Sequence, residues 1–376
     1  MFIPPFCPNK ECTYHDQKQY PFRWFTRNGF YKTKCFGRIQ RYRCAHCRKE
    51  FSSQTFHLDY YAKKQCDYAQ IFNHVVSSAG VRDIARSLNL GTDAIQNRIG
   101  RIARQCMAMH MEIMSHCDLS EDLVADGFES FCYSQYFPNN IHLLVGAKSR
   151  VLYFLNGVTI RRKGRMTARQ KERREIVEEM WKAETGGIRK SFTELLFLMK
   201  KMYSVSSMNT LTLYTDEKYD YVRSFGSSKE LSDLLTTREW RHHRTNSRIA
   251  RTMKNPVFAA NYMDREIRKG LSNHHRETVQ WAKDMSEMFK RLIIFVVHHN
   301  VNMPYDVKNE RTDDRVHWEI AGIPKRVLSH AWNRIFSMRR FVSHTELSTF
   351  WEKIWFSEVR TPLDLRGGYH PKYLYM

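Results

Sequence analysis

Four cysteines fall into two close pairs, Cys7 with Cys12 and Cys44 with Cys47. Each pair can form a tight knuckle offering two thiolates. The long basic segment between them lets the knuckles face each other, as a tetrahedral zinc site requires. The expectation is one structural Zn²⁺ on Cys7, Cys12, Cys44 and Cys47, with His15 and Cys35 as possible substitutes between the pairs. A second set of reactive side chains is acidic. Asp126 follows Leu123-Val-Ala and Asp216 follows Thr210-Leu-Thr-Leu-Tyr-Thr, so each closes an apolar, strand-like run. A carboxylate in that place is costly unless it binds something. Two of them, with a third from a helix, can hold two Mg²⁺ or Mn²⁺ ions, which activate a hydroxyl nucleophile and stabilise a leaving oxygen.

The elements around these residues follow from pattern. Residues 1–60 are short, aromatic and β-like, with Phe22-Arg-Trp-Phe25, a turn at Arg27-Asn-Gly29 and Arg38 to Cys44, which suits strands flanking a zinc ribbon. From Asp67 the period becomes helical. Val81 to Leu88, a turn at Asn89-Leu-Gly91 and a helix from Thr92 to Arg104 read as a helix-turn-helix within residues 61–116, with Thr92 as N-cap and Ile95, Ile99 and Ile102 as the buried stripe. Gln96, Asn97, Arg98 and Arg101 on the opposite face could then reach base edges and phosphates of double-stranded DNA.

Residues 117–305 begin with three strand-like runs joined tightly: Leu123 to Phe131, Ile141 to Gly146 and Val151 to Leu155. A basic insertion around 160–190 follows, with Arg161 to Arg174 as its densest part and Thr167 as a helix start. An amphipathic helix from Phe192 to Tyr203 precedes a fourth strand ending at Asp216, and Glu239 to Arg244 could be a fifth. Helix resumes from Asn261 to about His298, and residues 306–376 form a helical C-terminal region, amphipathic from Ala331. Three strands, a helix and a fourth strand are the order of an RNase H-like core, in which Asp126 and Asp216 lie side by side. The fold class is therefore multidomain α/β: zinc ribbon, helix-turn-helix, RNase H-like mixed-sheet domain and helical tail.

Composition narrows the partners. The 376 residues carry a formal net charge of +22, an imbalance most easily tolerated beside a polyanion. No apolar run is of spanning length, and Met1-Phe-Ile-Pro-Pro leads straight into the first knuckle. Neither membrane span nor signal peptide is expected, and the location read from this is cytoplasmic and nucleoid-associated. Cys35, Cys66, Cys106, Cys117 and Cys132 are scattered, as in a reduced protein.

In this order the motifs resemble the transposases of the insertion-sequence-one group, a branch of the Asp-Asp-Glu recombinases. The resemblance is carried by Gln40-Arg-Tyr-Arg-Cys-Ala-His-Cys-Arg-Lys49, by Asp126 with Ser130-Phe131, and by Thr215-Asp216 with Tyr221. Arg276-Glu-Thr278 with Trp281-Ala-Lys283 completes it. It implies metal-dependent cleavage and strand transfer at terminal inverted repeats by a homodimer or higher oligomer. In register, the family's glutamate falls on Asn261 and its asparagine on Asp264, so the pair is exchanged. Asn261 and Asp264 share one helix face, and Asp264 is the favoured third acid. Glu266 is the rival, about 200° around the helix. The alternative reading is a transposase-derived, sequence-specific DNA-binding protein without catalysis, which the exchange alone favours.

Overall fold

The computed structural model describes residues 2–16, 23–246, 248–275, 278, 280–308 and 312–363. Phe22 and Arg276, named above, lie outside the described residues. Near the N-terminus, α1 (Thr13–Asp16) is followed by a three-stranded antiparallel sheet, β1 (Phe25–Thr33), β2 (Gly37–Cys44) and β3 (Glu50–Ser52), in that spatial order. Arg27-Asn28-Gly29, expected as a turn, instead makes a bulge inside β1. The pairing with β2 shifts between Arg27 and Phe30, and Gly29 takes a φ of 67°. Trp24, Tyr42, Phe51 and Phe56 form the small core here, closed by Phe341 from far along the chain.

Three helices follow, α2 (Tyr68–Val76), α3 (Val81–Ser87) and α4 (Thr92–Met114). Asp67 caps α2 by accepting from the N–H groups of Ala69 and Gln70. Gly91 is the N-cap of α4 and Thr92 its first helical residue, which corrects the expected cap by one position. Asn89 takes a φ of 50° in the turn before it. Ile95, Ile99 and Ile102 are fully buried, as their spacing predicts, each contributing roughly 1.5–3 kcal/mol by its burial.

The larger sheet is built from β4 (Leu123–Phe131), β5 (Pro138–Gly146), β6 (Leu152–Thr159), β7 (Leu211–Asp216) and β8 (Trp240–Thr245), with spatial order β6-β5-β4-β7-β8. β4, β5 and β6 are antiparallel, whereas β7 pairs in parallel with β4, and β8 in parallel with β7. The parallel pairs require crossovers, and α5 (Ala168–Met180), α6 (Gly187–Ser204), α7 (Tyr219–Phe225) and α8 (Lys229–Thr236) lie in those connections. Thr167 caps α5 as expected, accepting from the Gln170 N–H, and none of the helix's residues is buried.

The expected long helix from Asn261 is two. α9 (Phe258–Gly270) packs on β4 and β5, and α10 (Met285–Asn302) starts afresh from its cap at Asp284. Gly270 is the last residue of α9, and the Phe295 ring of α10 fills the space a side chain there would need. The C-terminal part holds α11 (His317–Ile320), α12 (Lys325–Asn333) and α13 (Thr349–Trp355), with turns and one short 3-10 helix (Val342–His344) between the last two rather than the continuous helix expected from Ala331. One apolar cluster extends from Leu58 through α4, the large sheet and α10 to Phe356, across the divisions expected at 116 and 305. None of the helices among the described residues is long and apolar enough to cross a membrane.

Candidate functional site

Cys7, Cys12, Cys44 and Cys47 converge, with their four sulfurs all within 4.8 Å of one another. Cys7 and Cys47 are 3.6 Å apart and Cys12 and Cys44 3.8 Å. Ligands about 2.3 Å from a tetrahedral Zn²⁺ would lie about 3.8 Å apart, so the cluster has the size of a zinc site. A disulfide would need about 2.05 Å, and all nine cysteines are free. Local backbone makes the knuckles: the Cys12 N–H donates to Asn9 O, the Cys44 N–H donates to Lys49 O, and Arg48 turns the chain with a φ of 61°. Burial pushes the Cys7 and Cys12 thiols up. Burial also raises Cys47, but hydrogen bonds from the Lys49 backbone and the Asn9 side chain outweigh it and bring the thiol to about 7. The raised Cys7 and Cys12 thiols fit a bound cation as their compensating charge. Neither substitute joins the cluster. Cys35 stands apart, and His15 uses Nδ1 on the Cys7 carbonyl at 2.7 Å.

The second site forms at the edge where β4 meets β7. Leu123 pairs with Leu213 and Val124 with Tyr214, so two residues further on Asp126 and Asp216 fall beside each other on the same face. Each is fixed by backbone: Asp126 accepts from the Gly127 N–H at 2.7 Å and Asp216 from the Lys218 N–H at 2.9 Å. α9 lies across β4, and Asp264 projects from it near enough that its charge acts on Asp126. Burial first, then the charges of Asp216 and Asp264, raise the Asp126 carboxyl to about 6, against the Gly127 hydrogen bond and the charge of Lys218. The three carboxylates do not close to within 4.8 Å of one another, and Asp264 is paired with Arg268 at 2.7 Å. Arg268 also donates to the carbonyls of His274 and Glu129 and lies over the Phe128 ring, which pins α9 to the end of β4. An all-carboxylate oxygen donor set with excess negative charge fits Mg²⁺ or Mn²⁺.

Glu266 points elsewhere. It is buried and its carboxylate lies 3.5 Å from Arg265 and 3.8 Å from Lys269. Asn261 stays on the Asp264 side, with its amide donating to Val257 O, and shares with Asp264, Arg265 and Arg268 a cavity of about 310 Å³.

The titration of Asp126 gives a sign that can be checked. Its folded carboxyl holds a proton more tightly than the ordinary carboxyl at 3.8, so its contribution to stability is intact below pH 3.8 and is lost as pH rises through about 6. Without divalent cations, Asp126→Asn is expected to stabilise the protein at pH 8 by on the order of 2 kcal/mol. Urea unfolding should show that gain shrinking to nothing at pH 4. A gain of equal size at both pH values would rule out charge as its cause.

Sequence reasoning missed the layer beneath. Gly127 faces the other side of the sheet, where a Cβ would sit 2.6 Å from the Asn140 amide and 3.0 Å from the Tyr221 hydroxyl. Asn140 and His142 are fully buried on β5, and Tyr221 stacks on Phe192 at 4.1 Å. The signal was present in Asn139-Asn140 and His142, polar residues within an otherwise apolar strand.

The four side chains expected to face DNA divide. Asn97 is exposed, and Gln96 is partly buried with its amide on Glu287. Arg98 and Arg101 are only 6% and 7% exposed, which corrects their place on an open face. The segment between β3 and α2 covers them: Arg98 donates to Lys64 O at 2.8 Å and Arg101 to Leu58 O at 2.6 Å. Exposed cations are found instead on α3, at Arg82 and Arg86. Arg101→Ala should therefore destabilise the fold by about 2 kcal/mol, having removed a buried charged hydrogen bond. Weakened DNA binding at unchanged urea midpoint would restore the base-reading role.

The basic stretch after β6 reaches the acidic site. Arg161, Arg162 and Lys163 join Arg268, His274 and Glu129 around a cleft of about 310 Å³. No protein-family profile matches the chain, and no curated protein matches it.

Proposed function

We propose that the chain is a DNA transposase that binds the terminal inverted repeats of an insertion sequence and cleaves and joins strands in a divalent-metal-dependent reaction. The observation that carries this reading is the parallel register of β4 and β7, which sets Asp126 beside Asp216, with α9 and its Asp264 packed across β4. Carboxylates from two adjacent strands and one helix thus act on a single electrostatic site. Strand order supports it, since three antiparallel strands with a parallel fourth beside the first make the order of an RNase H-like core.

Bound Mg²⁺ or Mn²⁺ would activate a water or 3′-hydroxyl and neutralise the leaving oxygen. The protein's own residues supply the rest. Asp126, Asp216 and Asp264 are the ligands, and Arg268 positions Asp264 while keeping α9 on the sheet. Arg161, Arg162 and Lys163 offer charge to the phosphates of a strand lying in the adjoining cleft. The cysteine-held ribbon and the α3–α4 pair, with Arg82, Arg86 and Asn97 exposed, serve recognition of the duplex. Two ends must be joined, so the acting form is a homodimer or higher oligomer on DNA.

The test uses a duplex carrying the sequences that flank the coding segment. With Mg²⁺ or Mn²⁺ the full chain should nick it at the ends and transfer those ends to a second duplex, and EDTA should stop both. Binding should weaken steeply with salt, as released counterions demand. Specific binding without cleavage in either metal would favour a DNA-binding protein that has lost catalysis.

A further inference from the structure

Beside the cysteine cluster, His15, Asp16 and His344 bring three further metal-capable side chains together, with one ligand atom of each within 4.8 Å of the others. His15 and Asp16 end the short helix after the second cysteine, whereas His344 lies in the chain between α12 and α13. The cluster therefore joins residues 328 or more positions apart in sequence, as the His15 to Ser343 hydrogen bond shows.

The tautomer of His15 can be derived. Its Nδ1 is 2.7 Å from the Cys7 carbonyl, and a carbonyl can only accept, so Nδ1 carries the proton. Nε2 then presents a lone pair, to which the Ser343 hydroxyl donates at 2.8 Å. An imidazole oriented by a backbone carbonyl through one nitrogen, with the other aimed into a polar cup, is how metal-ligating histidines are commonly held. The ring itself cannot swing away. It is 1% exposed, with Phe6 edge-on at 5.4 Å, and Phe6 also packs on His344 at 4.2 Å.

Asp16 Oδ1 lies 3.8 Å from His15 Nε2 and 3.7 Å from His344 Nε2. Three ligands about 2.1 Å from one tetrahedral ion would be about 3.4 Å apart. Closing the two Asp16 distances takes a few tenths of an ångström, and the Asp16 side chain is 73% exposed, so no packing holds it back. That open side also gives an ion a way in.

The geometry points to a second metal site on His15, Asp16 and His344, separate from the four cysteines, that takes a borderline divalent transition ion of the zinc class. Two imidazoles and a carboxylate suit such an ion better than Mg²⁺ or Ca²⁺, which prefer oxygen alone. Occupancy would clip the cysteine knuckle to the segment that Gln105 of α4 already binds through the carbonyls of Ile335 and Met338.

Cobalt titration of the full chain carrying one equivalent of zinc, enough for the four cysteines alone, tests this. Wild type should take up Co²⁺ with visible d–d absorption and without a sulfur-to-metal charge-transfer band. His344→Ala and Asp16→Asn should each weaken that uptake tenfold or more while retaining the cysteine-bound zinc. Should His344→Ala lose its zinc by misfolding, the exposed Asp16→Asn decides. Absence of this absorption in wild type, or wild-type affinity in Asp16→Asn, would overturn the site.

Discussion

Asp126→Ala is expected to abolish both DNA cleavage and strand transfer while leaving the affinity for the end duplex within about twofold. Removing one carboxylate from a set that must hold cations in line with the phosphate takes away charge compensation that no neighbour can replace, a loss of on the order of 10³-fold or more in rate. Asp126 is the central member because both other acids act on it. Asp216→Ala and Asp264→Ala should fall in the same class. Glu266→Ala should keep most activity, since its carboxylate faces Arg265 and Lys269, and should cost only stability. Gel-based cleavage with filter-binding controls separates the outcomes. Full activity in Asp126→Ala would remove the transposase reading altogether. Loss in Glu266→Ala with normal cutting by Asp264→Ala would move the third acid.

Cys44→Ser is the second large effect. Cys44 is fully buried and stands 3.8 Å from Cys12, so a serine there leaves three thiolates and a poor fourth donor. Zinc binding in small ribbons supplies roughly 10–16 kcal/mol at neutral pH, far more than a core of a few aromatic rings provides. Metal analysis should find the cysteine-bound zinc lost, and limited proteolysis should cut within 2–56 while the remainder survives. The remainder is expected to persist because Trp24, Tyr42 and Phe51 belong to a separate small core, joined to the rest by contacts such as Phe341. Full zinc retention in Cys44→Ser would dismiss the four-cysteine assignment.

Much of this was legible along the chain because the relevant signals are local. Cysteine spacing marked a site whose sulfurs meet at 3.6 and 3.8 Å. Alternation and apolar runs located the five strands of the large sheet to within a few residues, including the weak fifth at Trp240–Thr245. Helical phase separated Asp264 from Glu266, since side chains about 200° apart on one helix cannot serve the same site. Thr167 announced its helix by a cap three residues long in reach.

What only the tertiary structure decided depended on what covers each element. Arg98 and Arg101 look like a solvent face by periodicity, but the segment holding Leu58 and Lys64 folds over them and turns their guanidinium groups into backbone anchors. Position 270, at the end of α9, needs glycine because the Phe295 ring packs against it, a contact no window of sequence contains. His15 offered itself as a ligand for the cysteine cluster, yet its Nδ1 is committed to the Cys7 carbonyl and its Nε2 turns toward His344 and Asp16 instead. Asp126 and Asp216 could be named from their strands, but the raised proton affinity of Asp126, from burial first and then the charges of Asp216 and Asp264, exists only because β4 and β7 run parallel as neighbours with α9 laid across them. Spacing selects residues able to do chemistry; burial and the company of distant charges set what chemistry they can do.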